Sequence, residues 1–148
     1  MTISNADVFW IETGSMQGEA RYILEIAEHL ADFFEEKSGK ETTIAIRHQG
    51  GVWNGSDFKH HSSDHYSPQW RIFFPTAFSD FSQTYYPNKI ARFEKDTADN
   101  PWYTGRCYNL ELRNPSHSDV DEWRAQAESS GVLDSTGQGD QGREYGYY

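Results

Sequence analysis

Apolar residues Met16, Ala20, Ile23, Leu24, Ala27, Leu30, Ala31 and Phe34 recur at three- and four-residue steps, a period that predicts an amphipathic helix over 16–36. Glu19, Glu25, Glu28, Asp32, Glu35 and Glu36 fall on its opposite face. Ser15 can cap the first turn, and Lys37 followed by Gly39 supplies a stop. Ahead of it, the β-favouring run from Val8 to Ile11 predicts a short first strand. From Thr42 the period changes to two: Ile44 and Ile46 face one way, Thr43, Ala45 and Arg47 the other. Similar short runs at 69–74, 90–94 and 106–113 predict further strands, with Tyr108, Leu110 and Leu112 on one face of the last.

These runs follow one another without long intervening helices, which points to an antiparallel arrangement. The expected fold class is α+β: a sheet of about four to five antiparallel strands packed by one long N-terminal amphipathic helix. A short C-terminal helix is expected from Ser118, the cap residue, through Val120, Trp123 and Ala127 to Gly131. The connections 53–68 and 76–87 read as long polar loops. Residues 1–133 are expected to form a single domain. Residues 134–148, rich in glycine and tyrosine and without periodicity, are expected to be a disordered tail.

Composition changes this picture in two ways. Aromatic residues make up 16% of the 148, so much of the buried area must come from rings. Net charge is −10 and unevenly spread: residues 1–39 hold eight acids against two bases and residues 114–148 seven against two, while the middle is near neutral. Nucleic-acid binding draws its affinity from lysine and arginine displacing phosphate counterions, so a nucleic-acid ligand is disfavoured. The single cysteine, Cys107, allows no internal disulfide, and no apolar run is long enough to cross a bilayer as a helix. A cytoplasmic, membrane-free protein is the expectation. No GxxxxGK[ST] or GxGxxG phosphate loop occurs.

Candidate chemistry is concentrated at Lys59-His60-His61-Ser62-Ser63-Asp64-His65, where His60, His61, Asp64 and His65 offer imidazole and carboxylate donors suited to zinc. The run is similar to the His-x-His-x-Asp-His pattern of metallo-β-lactamase-like hydrolases at His60, Asp64 and His65. Ser62 stands where that pattern has histidine, and the later ligands have no counterpart. A divalent metal held here is the one cofactor the sequence offers, and the resemblance implies a hydrolase. Histidine-based acid and base chemistry is a second arrangement, with His48 and His117 flanking a phosphodiester and Arg92 or Arg47 holding developing charge, as in a nuclease. Cys107 has no histidine neighbour to activate its thiol and reads as inert.

Aromatic doublets give the third reading. Only one member of Phe73-Phe74, Tyr85-Tyr86 or Trp102-Tyr103 can face the core of an alternating strand, which leaves surplus rings for a ligand-binding or docking surface. With acidic ends and no convincing catalytic set, the leading expectation is a non-enzymatic protein-interaction module that binds a partner with a basic surface. Small acidic inhibitors, immunity proteins and accessory proteins of phages and mobile elements share this general character. Its partner-binding residues would be Glu25, Glu28, Asp32 and Glu35 on the helix, with Phe74, Tyr85, Tyr86, Trp102 and Tyr103 among the rings.

Overall fold

A computed structural model of the chain describes residues 1–16, 22–34, 41–48, 50–63, 66–75, 86–97, 107–136 and 142–148. Among these it has strands β1 (Val8–Glu12), β2 (Ile23–Ala27), β3 (Glu41–His48), β4 (Asn54–Ser63), β5 (Tyr66–Phe73), β6 (Ile90–Asp96), β7 (Cys107–Arg113), β8 (Val132–Asp134) and β9 (Tyr145–Tyr147), and one α-helix, α1 (Ser118–Ser130). All nine strands join one sheet in the order β2-β5-β4-β3-β7-β6-β1-β9-β8, rolled into a half-barrel. Every neighbouring pair is antiparallel except β3 and β7, which run parallel with Ala45 opposite Cys107 and His48 opposite Leu110.

The fold is therefore mostly β, and the expected α+β plan of four to five antiparallel strands under a long N-terminal helix is overturned. Between residues 22 and 34 the chain forms β2 and a short 3-10 helix at Leu30–Phe33. The cause is local degeneracy. Leu24 and Ile26 alternate with Ile23, Glu25 and Ala27, so the five residues satisfy a strand period as well as a helical one, and pairing of Ile23 with Phe73 through Ala27 with Gln69 selects the strand. The expected loop over 53–68 is also corrected, because most of it is the β4–β5 hairpin.

Alternation along the strands sends one set of side chains into the concave side. Phe9, Ile11, Leu24, Ile26, Ile44, Ile46, Phe58, Ile72, Phe93, Tyr108 and Leu110 meet there around Leu30, Ala31, Phe33 and Phe34, which plug the trough from within. The rings pack on one another: Phe34 lies 5.0 Å from Tyr108, 5.2 Å from Phe58 and 5.2 Å from Phe93 between ring centroids. On the convex side α1 covers β1 and β9 with Val120, Trp123 and Ala127, which pack with Val8, Trp10 and Ile90. Strand β1 is thus buried on both faces.

Residues 134–148 are expected to be disordered; of the described parts, 134–136 and 142–148, Asp134 ends β8 and Tyr145–Tyr147 completes the sheet. Strand β9 lies between β1 and β8, pairing Tyr145 with both Ile11 and Asp134. Gly146 permits this. A Cβ there would meet the Trp10 ring at 2.7 Å and the Ala127 Cβ at 2.8 Å, so the close approach of strand, indole and helix needs a residue without a side chain.

Candidate functional site

The three residues considered for acid and base catalysis do not converge. His48 ends β3 on the inward-facing parity of Ile44 and Ile46. Arg92 lies on the convex face, over the Trp123 ring at 5.5 Å, and donates to Glu94 at 3.1 Å and to the Tyr148 hydroxyl at 3.3 Å. Burial alone would lower the Arg92 pKa, but the Tyr148 oxygen and the Glu94 carboxylate raise it above the ordinary arginine value, so this cation is permanent. His117, not Ser118, is the residue that caps α1: its Nδ1 accepts from the Asp119 amide at 3.0 Å. Asp119 in turn accepts from Arg113 Nε at 3.1 Å.

The histidine run is split by strand geometry. His60 and His61 are successive residues of β4, so their side chains leave opposite faces of the sheet. His60 has Glu28 at 3.5 Å from its Nε2 and stands edge-on to Trp70 at 5.4 Å. Asp64 and His65 lie outside the described residues, and no group of three or more His, Cys, Asp or Glu able to hold a metal occurs among the residues described.

Two rings of the expected partner surface lie in the core. Phe74 and Tyr86 are buried and stacked at 4.5 Å, and the Tyr86 hydroxyl donates to the Pro75 carbonyl at 2.7 Å. Neither ring can touch a partner. Replacing Tyr86 by Phe should leave that carbonyl without its phenolic donor and cost about 1 to 2 kcal/mol, read as a lower urea midpoint at unchanged slope. Trp70 is buried too, and Trp53 lies beneath the Arg47 guanidinium at 4.4 Å. Tyr85, Trp102, Tyr103 and Glu35 lie outside the described residues. Met1 and Val52 are the exposed large hydrophobics among those described, and they form no patch.

The acidic half stays at the surface, though not as one helix face. Glu25 sits on the outer side of β2, 2.8 Å from Arg71; Glu28 follows in the turn, and Asp32 is exposed within the 3-10 helix. Around them the cations are consumed internally. Arg47 bonds Asp96 and Asn109, both at 2.9 Å, and Lys59 lies 3.5 Å from Glu41 and 3.8 Å from Asp57. Arg113 holds Glu111 and Asp119, Arg124 holds Glu144 at 2.8 Å, Lys89 bonds Asn114, Lys95 bonds the Ser4 carbonyl and Arg143 the Glu25 carbonyl. Every described lysine and arginine is thus hydrogen-bonded or ion-paired to a group of its own chain. Asp7 and, on α1, Glu122 and Glu128 are exposed, with no described cation against them.

The acidity of the C-terminal end is carried by the solvent face of α1, where Asp121, Glu122 and Glu128, none of them among the expected partner-binding residues, share a short helix with one base, Arg124. That base is turned toward Asp121 and Glu144. No protein family, curated protein or solved structure gives a significant match to this chain.

Proposed function

We propose that the chain is a non-enzymatic interaction module that binds a protein partner through a cationic surface of that partner. The observation that carries this reading is the disposition of charge: each described Lys and Arg is hydrogen-bonded or ion-paired within the chain, while Asp7, Glu122 and Glu128 stand exposed with no described cation against them. Paired surface charges largely cancel at a distance, so the field that reaches solvent is that of the surplus acids. Such a field accelerates encounter with a basic partner and repels nucleic acid.

Affinity capture at low and high salt tests the reading. A stoichiometric protein partner should be recovered, with association falling as salt rises. Reversing charge with Glu122→Lys and Glu128→Lys together should slow association about fivefold while leaving thermal stability near that of the parent. A partner that binds equally at all salt concentrations and to the reversed variant would remove the reading.

A further inference from the structure

Among the described residues the sheet of the half-barrel ends at β2. The Phe74 amide donates to the Tyr22 carbonyl at 2.8 Å, which makes Tyr22 and Phe74 a hydrogen-bonded pair of the antiparallel β2–β5 ladder. By alternation, Leu24 and Ile26 also direct their backbone groups toward β5, and Ile23 and Glu25 direct theirs off the edge. Such an edge is a template for another strand unless something covers it. Among the described residues, what meets it at Glu25 is a cation. The Arg143 guanidinium donates to the Glu25 carbonyl across 118 residues of sequence, its stem passing 3.6 Å from where a Cβ on Gly14 would stand. Two residues on, Tyr145 of β9 lies 6.3 Å from the His29 ring, so the β1–β9 side of the sheet faces β2 here.

The surroundings match a basic segment. Glu25, 2.8 Å from Arg71, Glu28, 3.5 Å from His60, and Asp32 flank the edge and are partly or fully exposed, three acids against one permanent cation, whereas Leu24 and Ile26 on the inward parity are fully buried. A strand added to β2 would therefore carry basic side chains beside Glu25 on the outer face and apolar ones beside Leu24 and Ile26 on the inner face. Arg143 already shows a guanidinium on this backbone. Resting on the interaction reading above, we infer that β2 is the docking edge: it accepts an extended segment of the partner with alternating basic and apolar residues, by strand addition, and Arg143 is the internal contact the segment displaces.

The test uses the full-length protein and a capped hexapeptide of alternating arginine and valine, with a glutamate and valine peptide as control. Hydrogen exchange followed by NMR should show the Ile23 and Glu25 amides slowed by the arginine peptide and unaffected by the control. Arg143→Ala, which frees the Glu25 carbonyl, should tighten binding about fivefold. Ile23→Pro removes an outward amide without touching the β5 ladder and should abolish the effect. Failure of that variant to fold leaves the exchange data on the parent protein decisive. Binding that perturbs α1 and leaves Ile23 and Glu25 unprotected overturns the edge assignment while the acidic-module reading survives. No binding of the arginine peptide overturns the assignment too, and salt-dependent partner capture then tests the broader reading by itself.

Discussion

Ending the chain before Gly142 is expected to abolish cooperative folding, although composition marks the removed residues as a dispensable tail. Strand β9 pairs with β1 on one side and β8 on the other, so its loss separates β8 from the sheet and strips β1 of one ladder. The Tyr148 carbonyl also accepts from the Asp7 and Val8 amides, both at 2.9 Å, and its amide donates to Val8 at 3.1 Å. Tyr145 belongs to the concave core, and Gly146 lies between Trp10 and Ala127 of the convex one, so both clusters are opened at once. A domain of this size holds roughly 5 to 15 kcal/mol in reserve, and losing a central ladder together with part of both cores consumes it. Near-ultraviolet circular dichroism and a thermal melt should show no native signal and no sharp transition. A truncated protein melting with the parent would mean that β9 contributes nothing to the fold.

The same segment shows why parts of the architecture were legible and others were not. Strands β3, β6 and β7 were readable because Ile44 and Ile46, or Tyr108 and Leu110, alternate with polar residues over enough positions to exclude a helix. The C-terminal helix was readable because Val120, Trp123 and Ala127 fit only the longer period. Residues 23–34 fit both periods over their short length, and what decides between them is β5, some 45 positions away along the chain by the Ile26 to Trp70 pairing. Strand β9 has no local signal at all. Its three residues contain a glycine, a poor strand former, placed there because two neighbouring elements leave no room for a Cβ.

Of the candidate surface, the acids at Glu25, Glu28 and Asp32 were legible because a carboxylate at those positions faces water in either period. Phe74 and Tyr86 were misplaced for the opposite reason. Counting rings against one sheet face and one helix underestimates a nine-stranded trough whose concave side is filled by Leu30, Ala31, Phe33 and Phe34 as well. The Arg143 contact with β2 was beyond reach, since nothing near residue 143 encodes where residue 25 will be.

The second large effect is expected at Gly131, where a single methyl group should act almost as strongly as the truncation. Gly131 follows α1, its amide closing the helix on the Ala127 carbonyl at 3.1 Å, and β8 begins at the next residue. Its φ of −152° is not in the left-handed region, so a positive φ is not the issue. Space is: a Cβ would stand 1.9 Å from the Tyr147 carbonyl oxygen and 2.8 Å from the Tyr148 Cα. Both are backbone atoms of a strand pinned by β1 from behind, so neither can swing away as a side-chain tip would. Gly131→Ala should therefore force β8 and β9 apart and cost about 3 kcal/mol or more. Gly50 supplies the contrast. Its φ of +71° disfavours a side chain but nothing lies within 4 Å, so Gly50→Ala should cost only about 1 kcal/mol. Urea midpoints for the two variants should differ in that order, and equal midpoints would mean that the helix can shift away from β9 and that the convex core is looser than its packing implies.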